Sequence, residues 1–253
     1  MPPPVSVICA TYDREEHLRN LVRYFCAQTY EDIQLIILDD SPAPSNWLDT
    51  DDYREEGVNY YHMPNNKLTL GTKLNVLMQM AEGEILVQFD DDDYYAPNYV
   101  EHMVRLLGDH DFATLSRWFG YSFREKAFCY WETDRIAPRH YMLAPGEELK
   151  QLDTTGWGQA FIDNNLWGYG FSYVWRRHVY PKVEIADITW GSDLDFYKKL
   201  IAAGFRAVCG PDAEGLVLHL IHANNSSKMF PQYILPDFLV RKFFPIYAEE
   251  RGL

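Results

Sequence analysis

Nowhere in this 253-residue chain does an apolar run approach the about 20 residues that a bilayer-spanning helix needs. The opening Met1-Pro2-Pro3-Pro4 also lacks the charged and apolar regions of a secretory leader, so the sequence predicts a soluble, cytoplasmic protein. Basic residues are in short supply. Against 37 Asp and Glu there are 23 Lys and Arg, a formal charge of −14 that argues against a nucleic-acid or anionic-membrane partner and suits a protein that recruits cations. Cysteine is scarce too: Cys9, Cys26, Cys129 and Cys209 stand singly, with no C-x-x-C spacing, and read as buried reduced thiols. No G-x-G-x-x-G follows the first apolar run, so a dinucleotide fingerprint is missing. No repeat, low-complexity tract or Gly/Ser-rich linker divides the chain, which predicts a single domain. Two overlapping sequons at Asn224 and Asn225 are read as incidental without a leader.

The 47% hydrophobic residues are patterned as strands and helices in alternation. Val5–Ala10 reads as a buried strand closing on Thr11-Tyr12-Asp13, with Asp13 and Glu16 as a capping pair for a helix that buries Leu18, Leu21, Val22 and Phe25. Ile33–Leu38 is a second strand, ending in Asp39-Asp40. A turn-rich insertion from Pro42 to Gly57 leads to a third strand, Val58–His62, and Gly71 opens a helix with Leu74, Leu77, Met78 and Ala81 on one face. Glu84–Phe89 then runs as a strand into Asp90-Asp91-Asp92-Asp93. Strand, helix, strand, strand, helix, strand with short links predicts an α/β, Rossmann-like, mostly parallel sheet flanked by helices. At its carboxyl edge the four aspartates would repel one another and be pushed up in pKa unless a divalent cation joined them; Mg²⁺ or Mn²⁺ suits such oxygens. The competing reading is a solvated acidic turn. Later, Phe112–Leu115 reads as a strand and 118–131 as irregular hairpins. Ser192 or Asp193 suits a helix N-cap, Leu216–Ile221 is an apolar strand, and one amphipathic helix spans Pro236 to Glu250.

Several of these segments, in this order, resemble the GT-A nucleotide-sugar glycosyltransferases of the family-2 type. Val5–Arg14 is similar to the family's opening strand and nucleotide loop, with Ala10 where proline is usual, and Ile36–Ser41 to the strand bearing the base-binding aspartate. Gly71–Asn75 is similar to a segment with a basic residue and an asparagine near the diphosphate, and Phe89–Asp93 with Pro97 resembles the D-x-D metal motif. Gly168–Ser172 with Arg176-Arg177, Trp190–Gly204 and His222–Ser226 resemble the glycine strand and basic turn, the acidic helix and the closing loop.

The resemblance implies the GT-A fold with a smaller mixed second sheet, a nucleotide and metal half over 1–97, and an acceptor half over 98–253. It implies an inverting transferase that moves a sugar from a nucleotide-diphosphate donor, most often a UDP-sugar, to a glycan or other hydroxyl acceptor. Thr11, Asp13, Asp39, Asp40, Lys73, Asp90 and Asp91 would hold the donor. Asp92 would be the direct ligand of Mn²⁺ or Mg²⁺, with Asp90 and His222 beside it, and Asp193 would be the general base. Competing readings stay open for several of these: Asp13 and Asp193 as caps, Asp195 in place of Asp193, Lys73 as an exposed helical lysine, and His219 as a satisfied histidine. Arg176 and Arg177 either face the phosphates or lie on the surface, and Lys228 would help close a loop over them. Trp157 and Trp190, each beside a glycine, offer aromatic faces for the acceptor sugar. Two rivals remain, a nucleotidyltransferase and a non-catalytic nucleotide- or carbohydrate-binding module. Thr11-Tyr12-Asp13-Arg14 in place of a glycine-rich basic loop counts against the first.

Overall fold

The computed structural model describes residues 2–48, 56–64, 67–225 and 227–253. Much of the turn-rich insertion and Ser226 of the closing loop lie outside the described residues. In chain order the elements are β1 (Val5–Thr11), α1 (Glu15–Cys26), β2 (Ile33–Asp39), β3 (Val58–His62), α2 (Leu70–Met80), β4 (Ile85–Gln88), β5 (Tyr94–Tyr95) and α3 (Tyr99–Leu107). There follow β6 (Phe112–Ser122), β7 (Ala127–Glu132), β8 (His140–Met142), β9 (Lys150–Leu152), α4 (Gln159–Leu166), β10 (Val174–Arg176) and α5 (Ser192–Ala202). The last are β11 (Ala207–Pro211), β12 (Val217–Ile221), β13 (Tyr233–Leu235), α6 (Phe238–Phe243) and α7 (Pro245–Arg251). Among the described residues no helix is long and apolar enough to cross a membrane.

The chain forms two compact units. One holds 1–92, 97–114 and 167–209. Its sheet is parallel across β3, β2, β1 and β4, then turns antiparallel at β10 and at the first residues of β6. β1 and β2 pair flush from Val5↔Ile33 to Thr11↔Asp39, and β3 continues the register to Asp39↔His62. Apolar residues fill both faces of β1, β2 and β4, which is why these strands read as continuous hydrophobic runs. Leu74, Leu77 and Met78 of α2 and Phe196 and Leu200 of α5 join Ile8, Ile36, Leu86 and Trp175 in one core cluster. The other unit holds 93–96, 115–166 and 210–253. Here β6 pairs antiparallel with β7 and parallel with β12, β5 and β13 extend the ladder, and β8 and β9 form a separate two-stranded sheet. Trp118 and Trp131, with ring centroids 5.2 Å apart, and stacked Phe119 and Phe128 at 5.4 Å anchor its core.

Several local expectations are corrected. α1 is capped by Arg14, not Asp13, and without a side-chain hydrogen bond, so no Asp13–Glu16 box forms. Asp13 instead adopts a left-handed φ of 54°. The α5 cap is Gly191 at φ 74°, which releases the side chains of Ser192 and Asp193 from capping. The stretch read as irregular hairpins is one regular hairpin of β6 and β7, its aromatics forming cross-strand pairs. The final helix is two, broken at Phe244 where Pro245 starts the second.

Gly83 joins α2 to β4 at a point where the backbone passes against β1. A Cβ there would stand 2.5 Å from the Ser6 nitrogen and 2.7 Å from the Val5 carbonyl carbon. Neither backbone atom can yield without disturbing the strand. Gly83→Ala should therefore destabilise the protein by about 1–3 kcal/mol, read as a lower urea midpoint.

Candidate active site

Because β1, β2 and β4 are parallel and in register, their carboxyl ends bring Thr11, Asp39-Asp40 and the residues after Gln88 to one edge of the same unit. Thr11 Oγ1 donates to Asp91 Oδ2 at 2.6 Å, and one guanidinium nitrogen of Arg14 lies 2.6 Å from both Asp91 Oδ1 and Asp92 Oδ2. Burial, and then the neighbouring charge of Asp92, push the Asp91 carboxyl up to about 6, with Arg14 and Thr11 pulling the other way. Asp90 is half-buried, and its Oδ1 accepts from Gln88 Nε2 at 3.1 Å.

Lys73 is buried rather than an exposed helical lysine. Its Nζ donates to Asp40 Oδ1 at 2.7 Å and to the Thr11 carbonyl at 2.9 Å, clamping β1 to β2. The second Asp40 oxygen accepts from the Leu68 amide at 2.5 Å. Asp39 is equally engaged: Oδ1 accepts from the amide and hydroxyl of Ser41, and Oδ2 from the Tyr60 hydroxyl at 2.6 Å. Burial and that bond raise the Tyr60 pKa. Asp13 is exposed, its amide donating to Ser41 Oγ at 2.7 Å. Asn75 is committed to the backbone of Ile185 on both sides, at 2.8 and 2.9 Å. Arg176 and Arg177 lie on β10 and just past it, at the opposite end of β4 from the aspartates, since Arg176 pairs with Ile85. Arg176 donates to the carbonyls of Gly108 and His110, so the phosphate reading is replaced by the surface one.

Asp193 sits in the first turn of α5, and its Oδ2 accepts from the Gly170 amide at 3.2 Å. A Cβ at Gly170 would stand 2.6 Å from Asp193 Oδ1 and 2.8 Å from Gln88 Nε2, so only glycine lets these groups converge. Gln88 thus reaches close to Gly170 while donating to Asp90, and its own Oε1 is buried without a hydrogen-bond partner. Burial pushes the Asp193 carboxyl up to about 6, with the Gly170 N–H acting against it. Asp195 is instead paired with Lys199 at 2.7 Å. Trp190, three residues before Asp193, is 68% exposed.

In the second unit Asp93 accepts from the Leu220 amide at 2.9 Å and pairs with His219 Nδ1 at 2.8 Å, and His219 Nε2 contacts Ser227 Oγ at 3.1 Å. His219 is thus the satisfied, buried histidine. His222 Nδ1 accepts from the Asn224 amide at 3.2 Å. Lys228 pairs with Glu147 at 3.1 Å. Trp157 stacks on Phe161 at 3.9 Å beside His140.

Along the tetrad itself, one carboxylate oxygen from each of Asp90, Asp92 and Asp93 falls within 4.8 Å of the others, and among the described residues this is the one such His, Cys, Asp or Glu group. Clustered carboxylate oxygens with no sulfur or nitrogen fit a hard divalent ion such as Mg²⁺ or Mn²⁺. His222 is not in the group. The sequence reading passed over Arg14, Gln88 and Tyr60. Gln88, a polar residue inside an apolar strand, was the one visible signal.

Residues 6–177 match the model of "Glycosyl transferase family 2". A putative glycosyltransferase, EpsH of Bacillus subtilis, is 29% identical over 107 residues, 42% of this chain and 31% of that protein. The UDP-Glc:alpha-D-GlcNAc-diphosphoundecaprenol beta-1,3-glucosyltransferase WfaP of Escherichia coli is 26% identical over 103 residues, 41% of each chain. The chain thus spans well under half the length of these relatives. Among solved structures, S. aureus TarS 1-349 in complex with UDP-GlcNAc superposes with a TM-score of 0.61 at 16% identity, covering 86% of this chain and 58% of that one. The Pyrobaculum calidifontis mannosyltransferase PcManGT, in complex with GDP-Man and Mn²⁺, gives 0.56 at 15% identity, covering 87% and 57%. These likenesses establish the GT-A fold.

The raised Asp193 pKa has a measurable consequence. The folded chain holds this proton more tightly than the unfolded one, so its contribution to stability is complete below about 4 and is lost as pH rises through about 6. Asp193→Asn removes that loss. At pH 7.5 the variant should exceed wild type by about 1–2 kcal/mol in urea unfolding, less than full burial would give because part of the residue reaches solvent, and the gap should close near pH 4.

Proposed function

Because the chain belongs to glycosyl transferase family 2, we propose that this glycosyltransferase moves a sugar from a nucleotide-diphosphate donor, a UDP-sugar, to a carbohydrate or other hydroxyl acceptor with inversion at the anomeric carbon. One observation carries the reading: Asp193, with its pKa raised to about 6, accepts from the Gly170 amide, and Gln88, which crowds the same glycine, donates to Asp90 at the carboxyl edge of the parallel sheet. UDP-GlcNAc in the TarS complex and UDP-Glc in the name of WfaP support the UDP-sugar, and Mn²⁺ in the PcManGT complex supports the divalent ion.

Asp92 and Asp90 would hold Mn²⁺ or Mg²⁺. A bound divalent ion neutralises the charge that builds on the leaving diphosphate. Thr11, Asp13, Asp39 and Asp40 shape the pocket for base and ribose. Lys73 fixes that pocket by joining Asp40 to Thr11, and Asp91 is held by Thr11 and Arg14 on the donor side. Asp193 takes the proton from the acceptor hydroxyl as its oxygen attacks the anomeric carbon. A pKa of about 6 leaves it ionised at neutral pH yet basic enough to accept a proton. Trp190 offers its exposed face to the acceptor, and Trp157 is the second aromatic assigned to it.

Asp193→Asn should lower turnover by at least about 10²-fold while leaving Mn²⁺-dependent UDP binding intact. Asp92→Asn should lower both, and wild-type turnover should decline below a pH of about 6. UDP-sugar turnover assays and calorimetric titration of UDP with Mn²⁺ check all three. Full activity in Asp193→Asn would remove the base assignment.

A further inference from the structure

Arg14 is poorly explained by the helix it precedes. It provides no side-chain hydrogen bond to the first turn of α1, and its backbone, at φ −136° and ψ 46°, belongs to the loop. Its guanidinium is spent on the tetrad instead. One nitrogen lies 2.6 Å from Asp91 Oδ1 and 2.6 Å from Asp92 Oδ2, so a single positive charge spans two adjacent carboxylates. The two acids are nearly sealed, with side chains 4% and 6% exposed, whereas the Arg14 side chain keeps 27%. The Asp13 amide is pinned by Ser41 Oγ at 2.7 Å, which holds the backbone just before Arg14.

Asp92 is also one of the three residues whose oxygens converge within 4.8 Å. A guanidinium on Asp92 and a doubly charged ion held by the same carboxylate repel one another and compete for its lone pairs. Resting on the assignment of Asp92 to the metal, we propose that Arg14 is the resident counter-cation of the tetrad, which releases Asp92 when a divalent ion arrives and turns its guanidinium to the diphosphate of the donor. Its planar fork of N–H donors matches phosphate oxygens, and its partial exposure gives it a route from the buried acids to a ligand at the sheet edge. The same charge thus serves first the carboxylates and then the diphosphate.

This arrangement sets opposite signs for two affinities. Arg14→Met and Arg14→Lys, each checked for folding by circular dichroism, are titrated with Mn²⁺ alone, the free ion being followed by electron paramagnetic resonance. They are then titrated calorimetrically with UDP at saturating Mn²⁺. Arg14→Met should bind Mn²⁺ alone about tenfold more tightly, and UDP with Mn²⁺ about tenfold more weakly, than wild type, with Arg14→Lys between them. Unchanged or weaker Mn²⁺ binding in the folded Met variant would make Arg14 a fixed strut and overturn the proposal. So would a UDP affinity that rises together with that for Mn²⁺. Should the Met variant fail to fold, the direction of the Mn²⁺ change in Arg14→Lys decides. A wild type that binds no Mn²⁺ would remove the metal assignment along with the proposal, whereas Mn²⁺ binding that is equal in wild type and variants removes the proposal alone.

Discussion

Four consecutive carboxylates at the end of a buried strand repel one another, and the surrounding architecture answers that repulsion. Three of the four are buried, so solvent screens them poorly. Thr11 and Arg14 answer Asp91 and Asp92, Gln88 answers Asp90, and His219 with the Leu220 amide answers Asp93. Asp91 and Asp92 are therefore tolerable only once the loop after β1 has folded against the end of β4.

The remaining acids at the sheet edge are handled differently. Asp39 and Asp40 are almost fully enclosed and have every oxygen engaged, by Ser41, Tyr60, Leu68 and Lys73. They are a rigid wall. Asp193 has a single amide donor and a carboxyl pushed up by burial. The difference lies in how many donors serve each carboxylate.

The parallel half of the fold was legible because its strands are buried on both faces and its helices carry a clean apolar stripe; Val58–His62 and the core face of α2 fall where the pattern put them. Caps were less legible. Asp13 and Asp193 are good capping residues by type, yet tertiary demands took both, leaving Arg14 and Gly191 at the caps. The regularity of the β6–β7 hairpin was obscured because its strands show no alternation of polar and apolar residues, nearly every position being buried. In the candidate site the acids themselves could be named, whereas their counter-charges could not. Nothing in the order of residues says that Lys73 reaches back to Asp40, or that Arg14 bypasses its own helix to meet Asp91 and Asp92.

The flush pairing of β1 with β2, and of β2 with β3, works like a reading frame. Side chains alternate between the two faces, so one residue added inside either strand would invert everything downstream of it, sending Thr11 or Asp39 to the wrong side of the sheet. Added length is harmless only where no frame is being kept, between β2 and β3 or beyond the last strand. Adaptation of this scaffold to a new donor or acceptor must therefore proceed by exchanging residues within the strands and by lengthening or shortening only the connections between them.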